Sequence, residues 1–337
     1  MAYERCGPQR QSGGVGRGDG GRGTAVAGRR SRGRRSRDGG RGDGGRSILA
    51  GMSDVIERTE TLAAEPAYAL GGLLGVPVPD LGGGAGLPLL WHWVYLLDRP
   101  AQADLGPDGH PVRGVLPVPP APGLRRMWAG GRVRGSGVLR CGEPATKLTR
   151  VLSMTDKVGR TGPMKFVVVG HQIVQRDQVV VDEEQDVVYR EADTAAASAG
   201  GSPDGSDGAD APVVPAGDGE REIPVSPTLL FRFSALTYNA HRIHYDRDFA
   251  RAVEGYPGLL THGPLQALAM AEAARAANGA DAAGPAGHGE ERYFEYRLIS
   301  PLFDHQGMIV SAVTGDGATI TAVRDRYGRQ TARGTLS

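Results

Sequence analysis

Three side chains able to handle protons or water fall within six residues of one another: Asn239, His241 and His244. Imidazole is the group whose charge changes nearest neutral pH, so His241 and His244 can act as acid or base. Asn239 can only orient a water or a carbonyl. Further along the chain, His262-Gly263-Pro264 opens a run in which Leu265, Leu268 and Ala269 recur at helical spacing. Pro264 suits a first helical position, where its missing N–H costs nothing. A helix start carries free N–H groups and the positive end of the dipole, which can hold a developing oxyanion. A base and an oxyanion site in one short stretch point to chemistry next to a carbonyl.

The elements that must position these groups follow from pattern and punctuation. Val55, Ile56, Thr59 and Leu62 have helical spacing, with Ser53 as N-cap and Pro66 as a bound. Leu87 to Leu97 is the most apolar stretch of the first half, a buried helix or a buried strand, and its length favours the helix. A Pro/Gly-rich loop over 98–123 follows, with a turn at Asp108-Gly109. Lys147–Ser153, Phe166–Val174 and Val179–Val181 read as strands. Residues 193–220 are Ala, Gly, Ser, Asp and Pro, the composition of a flexible linker. Beyond it, Pro227–Ser234 is expected as a strand, and Asp246 as N-cap of a short helix through Ala250. The helix from Pro264 is expected to end at Asn278-Gly279. Strand-like segments then run over Arg292–Leu298, Met308–Thr314 and Ala318–Asp325, and Tyr327-Gly328 makes a last turn. That order fits an α+β unit, a curled antiparallel sheet around one helix.

Composition narrows the function classes. Residues 1–51 hold twelve Arg, no Lys and four acidic residues, hence +8; the whole chain is +1, so the remainder carries +1 − 8 = −7. The part expected to fold is acidic, which argues against a nucleic-acid partner. The basic segment is Gly and Arg with almost nothing to bury, so it is expected as a disordered tail or an over-extended start, with Met52 opening the folded part. Gly16, Gly18 and Gly21 match GxGxxG with no strand before them, so no dinucleotide site is expected there. Cys6 and Cys141 form neither a disulfide framework nor a zinc pattern. No apolar run is long enough for a membrane helix and none forms a secretory signal, so a cytoplasmic protein without a membrane partner is expected.

The segment Tyr238-Asn-Ala-His-Arg-Ile-His-Tyr-Asp246, with Gly258-Leu-Leu-Thr-His-Gly-Pro264, resembles the MaoC-like hotdog hydratases and dehydratases. The branch it is most similar to is the 3-hydroxyacyl-thioester dehydratases of type 2, with mesaconyl-C4-CoA and itaconyl-CoA hydratase-like proteins. Leu87-Pro-Leu-Leu-Trp-His-Trp93, Leu105-Gly-Pro-Asp-Gly-His-Pro111, Arg125-Arg-Met-Trp-Ala-Gly-Gly131 and Glu183-Glu-Gln-Asp-Val-Val-Tyr189 resemble that branch's N-terminal hotdog. The resemblance implies a double hotdog with halves over 52–192 and 222–337, joined by a linker over 193–221. It implies addition or removal of water across the 2,3 bond of an acyl-CoA or acyl-carrier thioester, no metal or other cofactor, and a homodimer. His244 matches the family's catalytic histidine, and Gly263 the residue whose N–H receives the thioester oxygen. Tyr238, Gly258 and His262 fall in the matched motifs as substrate-binding positions. The wider family's Asp-x-Asn-x-x-His departs here: Asn239 stands at the Asp position and His241 at the Asn position. Asn239 is then expected to place a water, and His241 to supply the second ionisable group.

Each residue also has a plainer role. His241 and His262 could be hydrogen-bonded packing residues. Trp128 is expected as a pocket or core wall. Arg125 and Arg126 suit CoA phosphates or a solvated face. Two other functions compete. One is an acyl-CoA-binding hotdog without catalysis. The other is a metal-dependent enzyme built on His241, His244 and Asp246 or Asp248.

Overall fold

The computed structural model describes residues 55–114, 124–159, 162–191, 212–279 and 291–337. The basic segment 1–51, Ser53, and most of the expected linker lie outside the described residues. Among the described residues, ten strands form one antiparallel sheet in the order β1-β3-β4-β5-β2-β7-β10-β9-β8-β6. The first five come from the N-terminal half: β1 (Ile56–Thr61), β2 (Leu124–Gly135), β3 (Pro144–Gly159), β4 (Gly162–Gln175) and β5 (Gln178–Glu191). The other five are β6 (Glu220–Ile223), β7 (Arg292–Leu298), β8 (Met308–Gly315), β9 (Ala318–Arg324) and β10 (Gln330–Leu336). The helices are α1 (Glu65–Leu74), α2 (Pro227–Leu236), α3 (Arg247–Ala252) and α4 (Gly263–Ala277). This is the expected α+β double hotdog.

The halves meet where β2 pairs with β7, from Gly130↔Arg297 to Gly135↔Arg292. Glycine is required at this seam. A Cβ on Gly131 would sit 2.6 Å from the Glu184 carbonyl and 2.8 Å from the Tyr296 hydroxyl. Gly130 has φ +154°, and its Cβ would meet the Tyr296 carbonyl at 2.4 Å. A bulge between Trp128 and Gly130 shifts the β2–β5 register at the same place. Trp128 then donates its indole N–H to the Tyr296 hydroxyl at 2.9 Å, fastening the seam from the side.

Helix α4 is the axis of the C-terminal half. Its start and stop are local: Pro264 in the first turn, Asn278 as C-cap and Gly279 at φ 83°. It is buried nearly all round, including Leu265, Leu268 and Met270, each contributing about 2 kcal/mol over exposure. Its alanines let strands approach from several sides. Its two buried polar residues are both answered. Gln266 accepts from the Thr331 hydroxyl at 2.7 Å. Glu272 accepts from the Trp91 indole N–H at 2.8 Å and from Arg275 at 2.8 Å. Trp91 belongs to the N-terminal half, so this bond ties that half to α4.

Several segments differ from the sequence expectation, helix α1 and strand β2 among them, since neither was expected. Residues 56–61 form a strand, because exposed edge strand β1 pairs only with β3 and shows no buried face of helical period. Residues 227–236 form helix α2, whose Ser226 hydroxyl accepts from the Leu229 N–H at 3.1 Å, with Pro227 at the first turn. The apolar run 87–97 makes only a four-residue 3₁₀ turn, Trp91–Val94. Left-handed backbone at Leu90 (φ 68°) and Leu96 (φ 52°) stops it on both sides. Strand β10, not expected, lies centrally between β7 and β9. The end of the expected linker is also held: Val214 N–H donates to the Arg326 carbonyl at 2.7 Å, and Glu220 already belongs to β6.

Gly131→Val should cost about 1–3 kcal/mol by overpacking the seam. Urea unfolding monitored by fluorescence checks this, and an unchanged midpoint would mean that the seam does not hold the halves.

Candidate active site

The chain leaves α2 through Tyr238, whose φ of 53° is left-handed and turns the backbone sharply. Asn239 closes that turn. Its N–H donates to the Ser234 carbonyl at 2.8 Å, and its side-chain oxygen accepts the His241 N–H at 3.0 Å. The latter bond uses one lone pair of the side-chain oxygen and fixes the orientation of the amide; the second lone pair and the N–H groups are what it can offer a water. A 3₁₀ turn over Arg242–His244 follows. Asp246 then caps α3, accepting the Phe249 N–H at 3.0 Å and Arg242 at 2.8 Å. That occupation removes Asp246 from any metal set with the histidines, and Asp248 is exposed on α3.

His244 is buried, and its Nδ1 lies 2.7 Å from the Leu260 carbonyl oxygen. A carbonyl only accepts, so Nδ1 carries the proton and Nε2 keeps a lone pair: the tautomer of a base. Burial lowers its pKa to about 4, against support from Leu260 and with a further push from the His110 charge. His262 stacks on it at 3.6 Å between ring centres and is itself fully enclosed. The His262 Nε2 is 2.9 Å from the Ser234 hydroxyl. Its Nδ1 is buried with no hydrogen-bond partner among the described residues. Burial, then the charges of His244 and His241, hold His262 well below the usual histidine range. Its place is that of a wall fixing the His244 ring plane.

Gly263 follows His262 and opens α4. The first N–H groups of a helix have no partner inside it, so the helix start lies beside the His244 ring as expected. A Cβ on Gly263 would lie 2.2 Å from Leu298 Cδ1 of β7. Glycine there lets the sheet close over the helix start. Gly258 is likewise filled, since its Cβ would meet Asp304 Oδ1 at 2.6 Å. It shapes the loop, whose Leu259 N–H donates to the same Asp304 oxygen at 3.1 Å. Tyr238 is 54% exposed, at the outer end of this stretch.

His241 is buried and stands edge-on to His244 at 5.5 Å. On its other side, at 3.9 Å, lies a ring that the sequence did not assign: His110. His110 donates its Nδ1–H to Asp108 Oδ2 at 2.8 Å, and its backbone N–H donates to Asp108 Oδ1 at 2.9 Å. This loop belongs to the N-terminal half and docks on the C-terminal half. The Arg242 N–H donates to the Asp108 carbonyl at 2.9 Å, and the Arg242 guanidinium to the Pro107 carbonyl at 3.0 Å. Between them Gly109, at φ +87°, lies so close to Ala240 that a Cβ would meet its carbonyl oxygen at 1.8 Å. Four imidazoles thus stand in one row: His110, His241, His244 and His262. In the sequence this loop showed only as the Asp108-Gly109 turn and as a family-like Leu105–Pro111 motif with no role assigned to either side chain.

Burial raises the Asp108 carboxyl, but the His110 hydrogen bonds and charge outweigh it and hold the pKa down. Burial lowers His110, against support from Asp108 and with a further push from Arg126. Burial and the charges of His110 and His244 lower His241. Arg126 is thus at the row rather than on a solvated face. Burial lowers it and the Tyr189 hydroxyl, its hydrogen-bond partner, supports it. Arg125 is taken by Glu254 at 2.7 Å. Trp128 meets Trp93 at 5.7 Å and Tyr296 in the seam rather than the imidazoles. A cavity of about 510 Å³ lies at the other end of α4, lined by Arg275, Asn278, Arg292, Thr314 and Thr319 among others. It contains none of the row, and it is the row that has groups able to move protons.

Imidazoles held neutral make stability pH-dependent. A buried histidine with lowered pKa binds fewer protons folded than unfolded, so stability rises with pH between the two values. For His244 that window runs from about 4 to the ordinary 6.5. Melting temperature should fall steadily from pH 7 to pH 4.5, and His244→Gln should flatten part of that slope. An unchanged slope in the variant would show His244 to be solvated.

A family model described as hydroxyacyl-thioester dehydratase type 2 matches residues 90–304. The mesaconyl-C4-CoA hydratase of Chloroflexus aurantiacus is 45% identical over 232 residues, 68% of this chain and 74% of that protein. The mitochondrial hydroxyacyl-thioester dehydratase type 2 of Schizosaccharomyces pombe is 38% identical over 81 residues, 24% of this chain and 25% of that protein. In fold, the chain is similar to HtdX of Mycobacterium tuberculosis, with TM-score 0.56, 13% identity, and coverage of 84% of this chain and 99% of that one. It is also similar to a MaoC-like dehydratase of Phytophthora capsici, with TM-score 0.56, 16% identity, and coverage of 84% and 94%. The chain belongs to the hydroxyacyl-thioester dehydratase type 2 family of MaoC-like hotdog enzymes.

Proposed function

We propose that this hydro-lyase of acyl thioesters acts on a mesaconyl-C4-CoA-like substrate, with His244 moving the Cα proton and the start of α4 holding the thioester oxygen. The observation that carries the roles is the buried His244 imidazole, its Nδ1 proton fixed on Leu260 and its Nε2 without a hydrogen-bond partner among the described residues, beside the helix that begins at Gly263. Loss of a Cα proton puts negative charge on the thioester oxygen. Helix N–H groups placed there stabilise that charge more than the ground-state carbonyl. Protonation of Cα during hydration runs through the same groups in reverse.

A mesaconyl-C4-CoA substrate carries a free carboxylate at the far end from the thioester. Arg126 gives the row a half-buried guanidinium, and Arg is suited to carboxylate recognition. This reading assigns Arg126 to the acyl carboxylate rather than to CoA phosphates. Among the described residues no helix is long and apolar enough to cross a membrane. The edge that one hotdog offers another is used inside this chain, β2 on β7. One chain therefore supplies a whole site; specific activity should stay constant over a hundredfold dilution even where a homodimer forms, and a loss on dilution would show that the site needs a second copy.

His244→Ala should lower kcat by about 10²–10⁴, the usual range for an acid–base group, with KM little changed. Asn239→Ala should cost less. Loss of the enoyl-thioester absorbance of mesaconyl-C4-CoA and crotonyl-CoA measures both. Turnover of His244→Ala at the wild-type rate would remove His244 from the chemistry, whereas a wild type inactive on every enoyl thioester would favour the binding-module reading. Arg126→Gln should raise KM about tenfold or more for the carboxylated substrate and leave crotonyl-CoA, which lacks the carboxylate, unaffected. Equal effects on the two substrates would remove Arg126 from the acyl pocket.

A further inference from the structure

Water addition needs two proton transfers, one at Cα and one at the oxygen that joins or leaves Cβ. Asn239 cannot serve as the second group, because an amide does not titrate and its oxygen holds the His241 N–H. His241 has no carboxylate or carbonyl on either ring nitrogen among the described residues. His262 is tied to the Ser234 hydroxyl and lies behind His244. His110 differs from all three: a carboxylate oxygen lies 2.8 Å from its Nδ1.

We propose that His110, oriented by Asp108, is the second proton-transfer group of the site, so that the catalytic pair is assembled from both halves of the chain. This rests on the hydro-lyase reading above and adds to it the group that handles water. A carboxylate beside one imidazole nitrogen fixes the tautomer and stabilises the imidazolium that forms when the other nitrogen takes a proton. Of the four rings, His110 is the one at which positive charge is opposed by a negative group at hydrogen-bond distance.

The balance is as follows. In dehydration, His244 Nε2 takes the Cα proton, and the C–H electron pair moves to the thioester oxygen as an enolate. The enolate collapses to the C2–C3 double bond, the Cβ–O bond breaks, and the proton on His110 Nε2 goes to the departing hydroxyl, giving water. In hydration, His110 takes a proton from water as the oxygen bonds to Cβ, and protonated His244 delivers one to Cα. The pair holds one proton at the start and one at the end, and it returns to its first owner by way of solvent. No oxidant, reductant or further reactant enters.

The placement is built in rather than incidental. The loop is set on the C-terminal half by the two Arg242 bonds, which span 135 residues in the case of Pro107. Gly109 is the residue type that permits the approach to Ala240. The charged and titratable groups facing His110 are Asp108, His241, His244 and Arg126.

Full-length wild type, Asp108→Asn, His110→Ala and His244→Ala should be compared with crotonyl-CoA and with mesaconyl-C4-CoA. The expected result is a fall in kcat of at least thirtyfold for both Asp108→Asn and His110→Ala, with KM within about twofold. Added imidazole should restore part of the His110→Ala rate and none of the His244→Ala rate to the same degree. Should His110→Ala fail to fold, Asp108→Asn carries the test alone, because the amide keeps the shape and can still accept the His110 backbone N–H. Wild-type kcat in both variants, in an active wild-type enzyme, overturns the proposal and leaves the hydro-lyase reading standing. An inactive wild type on every enoyl thioester would instead bring down that reading. Asp108, His110 and His241 also bring ligand atoms within 4.8 Å of one another. If chelation abolished wild-type turnover and one divalent cation restored it, the three would be metal ligands and the proton-transfer role would be overturned.

Discussion

The pairing of β2 with β7 is the constraint on which the rest depends. It makes ten strands one sheet, and it is possible because Gly130 and Gly131 present no side chain to Tyr296. Once the seam is closed, the N-terminal half has a fixed position over the C-terminal helix. Two contacts exploit that position. At one end Trp91 reaches Glu272 of α4, a buried carboxylate that would otherwise lack its second donor. At the other, the loop around Gly109 settles on Ala240 and brings Asp108 and His110 to the histidine row. A separate N-terminal domain on a flexible tether could not hold an imidazole at 3.9 Å from its neighbour; a shared sheet can.

The two halves are alike in strand order but unlike in what they put at the centre. In the C-terminal half, α4 starts at Gly263 under Leu298, directly after the His262 ring that stacks on His244. In the N-terminal half, left-handed backbone at Leu90 and Leu96 reduces the corresponding apolar run to one 3₁₀ turn. A helix that short has little dipole to offer a thioester oxygen. Its histidine is also spent: His92 is paired with Glu183 at 2.8 Å, and Trp93 donates to the other Glu183 oxygen at 2.9 Å, all within the interior. Burial raises the Glu183 carboxyl, but the His92 hydrogen bond and charge outweigh it and bring its pKa down to about 2. Removing one partner of such a pair costs several kcal/mol. That half therefore uses its His–carboxylate pair for structure, and lends chemistry only through the 105–111 loop.

Helix α4 was legible because its signals are local: proline in the first turn, helical spacing, and Asn-Gly at the end all act within a few residues. Asp246 as a cap was legible for the same reason. Helix α2 carried equally local signals, Ser226 and Pro227, but the alternating Leu-Phe-Arg-Phe pattern outweighed them in a strand reading. Strand β10 escaped because Gln330–Leu336 is built of small and polar residues. Gly334 there is needed to clear the Phe294 ring, which a Cβ would meet at 2.8 Å, and only the fold shows that requirement. In the site, His244, His241 and Gly263 were legible from spacing and from a family pattern. The roles of Asp108 and His110 were not, because a contact between residues more than a hundred positions apart leaves no periodicity to read. The vacancy they answer was legible: an amide at Asn239 where the pattern has a carboxylate.

A row of buried imidazoles is expensive for a folded chain, and the expense is what suits it to this reaction. Each ring is held below its ordinary pKa by burial and by its neighbours, so a proton that one of the pair carries is readily given up. One nitrogen of His244, His262 and His110 is answered by a carbonyl, a hydroxyl and a carboxylate respectively. These three partners grade the rings. The carbonyl fixes a tautomer with modest support for charge, the hydroxyl fixes a packing position, and the carboxylate opposes a positive charge directly. Groups of the same chemical type are thereby driven toward different proton affinities, which is the condition for one to give while another takes. A single half of the fold supplies only the first two partners. The carboxylate arrives across the seam, so the same glycine-lined pairing that completes the sheet also completes the acid–base set.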